Sequence, residues 1–68
     1  MMTYGELMKR LADENIAMGV GRLAGGLVHQ PLQDLMQQKT FNGYGASTVE
    51  AVNDALERLY QERHRLMN

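Results

Sequence analysis

The chain contains no cysteine and no tryptophan, and has one proline and one phenylalanine in 68 residues. Without cysteine there is no disulfide framework, thiolate metal site or thiol nucleophile, so the usual staples of a small secreted domain are excluded. Charge of one sign is equally scarce: 7 Lys and Arg stand against 8 Asp and Glu, a formal net charge of −1. No basic surplus points to a nucleic acid or a membrane surface. The longest apolar stretch, Ile16 to Val28, is interrupted by Arg22 and falls short of the roughly 20 residues a bilayer span takes. Met1 to Glu6 carry no cationic segment followed by an apolar run, so no signal peptide is expected and a cytoplasmic location is the default.

What remains is 44% hydrophobic residues, six of them methionine, in a chain that can hide only about 60% of its unfolded surface. The expectation is one domain, residues 1–68, held by packing alone. Thr3-Tyr4-Gly5-Glu6 reads as a capping box, and Tyr4, Leu7, Met8 and Leu11 continue from it at helical spacing. Ile16, Val20, Leu23 and Leu27 are also spaced for a helix, but on a different side of the wheel. Either one long helix is buried on two sides or, as the spacing favours, the chain breaks near Asn15 and a second helix runs over about Ile16 to Val28.

That second helix holds Gly19, Gly21, Gly25 and Gly26, each costing up to about 1 kcal/mol against Ala in a helix interior. Ala17, Gly21 and Gly25, four apart, suggest a small-residue strip against which another backbone packs. Pro31 ends it and opens a short third helix through Leu32, Leu35 and Met36. Lys39 to Ala46, with Asn42-Gly43 and Gly45, reads as a loop, with a tiny hairpin as the alternative.

Ser47-Thr48-Val49-Glu50 is a second capping box, opening a long C-terminal helix. Val49, Val52, Leu56, Leu59, Arg63 and Leu66 repeat at three and four along it as a seam, with one arginine intruding. The fold expected is all-α, a bundle of about four helices, two or three short and one long. A homodimer would cover the seam, with Arg63 pairing Glu57 or Glu62 of a second copy.

Gly19-Val20-Gly21-Arg22-Leu23-Ala24 has the form of a dinucleotide-binding turn, yet no strand is expected before it, and Lys39 stands where an acidic residue belongs. A looser alternative is a phosphate-containing ligand, such as a nucleotide, held by Gly19, Gly21, Arg22 and Gly25. His29 and His64 lack the partners of a helical metal pair, so no metal and no cofactor is expected. Ser47 is better explained as a cap than as a nucleophile, and no catalytic residue is assigned. Arg58, Arg63 and Arg65 would serve a small DNA-binding regulator, a lesser alternative because Glu57 and Glu62 interleave with them.

Phe41 and Tyr44, two of four aromatics, sit in the glycine-punctuated segment as candidate anchors for a partner. The leading functional expectation is a non-enzymatic adaptor or inhibitor that binds a larger protein, as an accessory protein of a mobile element would.

Overall fold

The computed structural model describes residues 2–67. Two helices flank a four-stranded antiparallel sheet, in the order α1 (Tyr4–Asp13), β1 (Ile16–Met18), β2 (Arg22–Ala24), β3 (Leu27–Asp34), β4 (Lys39–Gly45) and α2 (Thr48–Met67). The fold is thus α+β, and the expected all-α helical bundle is wrong. The two end helices are where the capping boxes put them. Everything predicted as helix between Ile16 and Met36 is strand, turn or the irregular Gly19–Gly21 segment between strands, and the predicted loop over Lys39–Ala46 is mostly strand β4.

The start of α1 is set by its sequence. Thr3 Oγ1 accepts from the Glu6 amide at 3.3 Å, and Glu6 Oε1 accepts from the Thr3 amide at 3.1 Å, which satisfies two orphan donors. Leu7 and Leu11 then face the core. The chain does break at Asn15, which takes the left-handed conformation (φ 58), but it continues into a strand rather than a second helix.

Strand β3 is central. β4 pairs with it along its whole length, and β1 and β2 share its other side. Ile16 lies opposite Asp34 and Met18 opposite Leu32, whereas Arg22 lies opposite His29 and Ala24 opposite Leu27. The registers differ by one residue, so β1 and β2 form one strand interrupted by a bulge at Gly19-Val20-Gly21. Gly25 (φ 57) and Gly26 (φ 78) make the two-residue turn into β3, a type I′ geometry that needs positive φ at both positions. The glycines that would weaken a helix are therefore a bulge and a hairpin turn.

Pro31 has no amide hydrogen, yet it sits in a central strand. Gly19 donates to the Pro31 carbonyl at 2.9 Å, and the return bond to the Gly19 carbonyl comes from the Gln30 side-chain amide at 2.8 Å. Gln30 is buried in doing so and packs against Gly21, where a Cβ would stand 2.6 Å from its Oε1. A buried glutamine substitutes for the donor that proline lacks.

One face of the sheet carries the core. Ile16, Leu32 and Phe41 meet Leu7 and Leu11 of α1 and Val52, Leu56 and Leu59 of α2. Helix α2 lies close because Gly43 and Gly45 have no side chains: a methyl on Gly43 would run into the Ala51 carbonyl oxygen and stand 2.7 Å from the Ala55 Cβ. No helix among the described residues is long and apolar enough to cross a membrane.

Candidate functional site

Alternation along the strands sorts their side chains onto two faces. Opposite the helices lie Arg22 and Ala24 of β2, Leu27, His29, Pro31 and Gln33 of β3, and Thr40, Asn42 and Tyr44 of β4. No element among the described residues covers them. At the middle of this open face the His29 and Tyr44 rings stack, with centroids 4.9 Å apart and planes 22° from parallel. His29 Nε2 also bonds Asn42 Oδ1 at 2.8 Å, and Arg22 is its cross-strand neighbour on the other side. All eight acidic residues belong to the helices, to Glu14 or to the covered face at Asp34, so the open face carries no carboxylate.

The two edges of the sheet differ. On β4 the Tyr44 amide donates to Asp54 Oδ2 of α2 at 2.9 Å, so the helix holds the C-terminal end of that edge. On the other side β2 touches no described element but β3. The β2–β3 hairpin overhangs the helices, leaving Val20 80% and Leu23 72% exposed, with Leu27 half exposed.

A second polar cluster lies under α2. Arg63 donates from Nε to the buried Asp34 Oδ2 at 2.9 Å, from Nη1 to Glu14 Oε1 at 3.1 Å and from Nη2 to the Glu14 carbonyl at 3.1 Å. Tyr60 donates to Glu14 Oε2 at 2.8 Å, and Gln37 donates to Asp34 through both its amides. The Arg63 guanidinium and the Gln37 donors hold the Asp34 carboxyl down to about 2, against an ordinary 3.8. Burial pushes the Tyr60 hydroxyl up. A carboxylate so firmly ionised is no proton shuttle near neutrality, and no buried side-chain polar atom among the described residues lacks a partner. This cluster clamps the helices to the sheet.

A groove of about 750 Å³ runs beside α2, floored by Leu56 and Tyr60 and rimmed by Glu50, Asp54, Glu57 and His64. No group of three metal-ligating side chains occurs among the described residues.

The residues singled out from sequence are scattered by this fold. Phe41 is 8% exposed, under α2, with Lys39 Nζ 5.5 Å from its ring centroid, whereas Tyr44 is 46% exposed on the opposite face. Val52, Leu56 and Leu59 are filled by the chain's own core, Val49 is partly buried against it, Arg63 holds Asp34, and Leu66 is exposed. Gly19 and Gly21 flank the bulge occupied by Gln30, Gly25 is in the turn, and Arg22 is on the open face, so no helix N-terminus gathers them. Of the arginines, Arg58 meets Asp54 at 3.4 Å and Arg65 meets Glu62. Sequence reasoning missed His29 as the ring partner of Tyr44, and missed Gln30 altogether. The available signal was Gly25-Gly26 between Leu23-Ala24 and Leu27-Val28, a hairpin pattern that would have set both residues on one strand.

Comparison with protein-family models, with curated proteins and with solved structures finds no match.

Proposed function

We propose that the protein is a non-enzymatic interaction module, a small adaptor or inhibitor that binds a larger protein through the open face of its sheet. One observation carries this reading: a whole sheet face stands uncovered, centred on the stacked His29–Tyr44 pair, with Arg22 beside it and no carboxylate among its residues. Aromatic and arginine side chains are the commonest anchors of protein interfaces. The chemistry fits a partner surface that offers apolar groups together with carboxylates to meet Arg22. A cytoplasmic setting belongs to the same proposal. The nucleotide and DNA alternatives find less support, because Gln30 fills the glycine bulge and Arg58, Arg63 and Arg65 are each engaged by acids of the same chain.

A photo-crosslinking residue placed at Asn42, beside the ring pair, tests the reading in the native host, with Arg58 on α2 as the comparison site. The expected result is a covalent adduct with one larger protein from position 42, absent from position 58 and lost on Tyr44→Ala. No adduct beyond the mass of two copies, or the same pattern from both positions, overturns it.

A further inference from the structure

The two edges of the sheet are treated unequally by the fold, and the difference assigns a role to β2. Helix α2 guards the C-terminal end of the β4 edge by accepting the Tyr44 amide on Asp54. The bulge at Gly19–Gly21 twists the β1 half of the other edge. β2 has no such helix contact, and it carries none of the lysines, prolines or inward charges that blunt an edge.

We propose that β2 pairs with β2 of a second copy, antiparallel and centred on Leu23, so that one sheet runs through both chains across a two-fold axis. Backbone geometry picks that centre. In a two-residue hairpin the closing pair, Ala24 and Leu27, is hydrogen-bonded, the next pair is not, and Arg22 with His29 is bonded again. The amide and carbonyl of Leu23 therefore point away from β3, toward the open side. A two-fold axis at Leu23 sets these groups against the same groups of the second copy, and each chain donates once and accepts once.

The side chains agree with this register. Arg22 comes opposite Ala24 of the partner copy and Gly21 opposite Gly25 of the partner copy, so no like charges face each other and no bulk stands in the way. Between Gly19 and Gln30 the one arginine is the sole side chain of fixed charge. Leu23, on the helix side of the sheet but on a strand that neither helix contacts, gains its counterpart as an apolar cover. The second copy thus takes the exposed tip that the chain's own helices do not reach. Pairing of two three-residue strands is a small contact by the standard of stable interfaces, so a weak dimer is expected, with a dissociation constant of about 1–100 μM.

The chain has no cysteine, which makes single cysteines clean reporters. Leu23→Cys places two thiols on residues whose Cα atoms are about 5.5 Å apart in a bonded antiparallel pair, within disulfide range. Val20→Cys is no less exposed in the monomer but falls opposite Gly26 of the partner copy. Mild oxidation should link the Leu23→Cys chain at least tenfold faster than the Val20→Cys chain. Sedimentation from about 1 μM to 1 mM should show wild type shifting from 7.7 kDa to twice that mass. Leu23→Pro removes an amide that β3 does not use, and should stay monomeric at least tenfold higher in concentration, with circular dichroism unchanged. If Leu23→Pro disturbs the hairpin, the cysteine pair still decides. A monomer throughout, equal linking from both positions, or a dimer that survives Leu23→Pro overturns the proposal. Tyr44→Ala should leave the dimer intact, which separates this edge from the partner seat on the open face.

Discussion

Arg63 reaches from the last third of α2 to Asp34 at the end of β3, Nε to Oδ2 at 2.9 Å, and closes the one ion pair among the described residues whose acid is wholly buried. The same guanidinium holds Glu14, between α1 and β1, so three parts of the chain are tied at one point. An arginine that interrupts an apolar seam is thus explained within one chain, without Glu57 or Glu62 of a second copy.

Removing that cation strands a carboxylate in the interior. Arg63→Leu should lower stability by about 3 kcal/mol, because a buried charge without its partner keeps its desolvation cost. Urea denaturation at neutral pH measures this, and adding Asp34→Asn to Arg63→Leu should recover part of the loss.

The same pair sets the acid limit. Asp34 titrates near about 2 in the folded chain and near 3.8 when free, so the folded state binds its proton less readily than the unfolded state. Its contribution, about 2 kcal/mol, is complete above about pH 4 and fades as pH falls toward about 2. Urea midpoints between about pH 5 and pH 2 should decline in wild type, and Asp34→Asn should flatten that part of the curve.

Gln30 and Pro31 should couple. Gln30→Leu leaves the Gly19 carbonyl without a donor, at a cost of about 1–3 kcal/mol. Pro31→Ala restores a main-chain amide at that point of the ladder, so the double variant should be more stable than Gln30→Leu alone. A double-mutant cycle with no coupling would remove the substitution argument.

Two glycines should respond oppositely to alanine. Gly43→Ala drives a methyl into the Ala51 carbonyl and should cost about 1–3 kcal/mol by pushing α2 off the sheet. Gly5→Ala meets nothing within 4 Å in the first turn of α1 and should raise the melting temperature slightly.

Gln38 ends the β3–β4 turn with φ 54, a conformation that strains a side chain by about 1–2 kcal/mol. Gln38→Gly should stabilise the protein by about 0.5–1 kcal/mol after the greater freedom of unfolded glycine is counted. Thermal melts of the two proteins decide it.

The helices were legible because their information is local. A capping box is complete within four residues, and the Val52, Leu56 and Leu59 seam repeats wherever it packs. The sheet was hidden by two features that invert local rules. The extra residue in the bulge puts Ile16 and Leu23, seven apart, on one face, and seven residues is also two helical turns. The covered face of β3 reads Val28, Gln30, Leu32, Asp34, half polar, so alternation gives no apolar stripe, and Pro31 argues against a central strand.

Sequence alone therefore determined where the two end helices begin, that Leu7, Leu11, Val52, Leu56 and Leu59 face inward along them, and that neither disulfide nor cysteine-bound metal holds the chain. Only the tertiary structure decided that the middle of the chain is a sheet, because Gln30 becomes the donor Pro31 lacks and Arg63 makes Asp34 tolerable in the core only when distant segments meet. It likewise decided that Phe41 belongs to the interior and Tyr44 to the open face, since strand residues three apart point to opposite sides and pairing sets which side is covered.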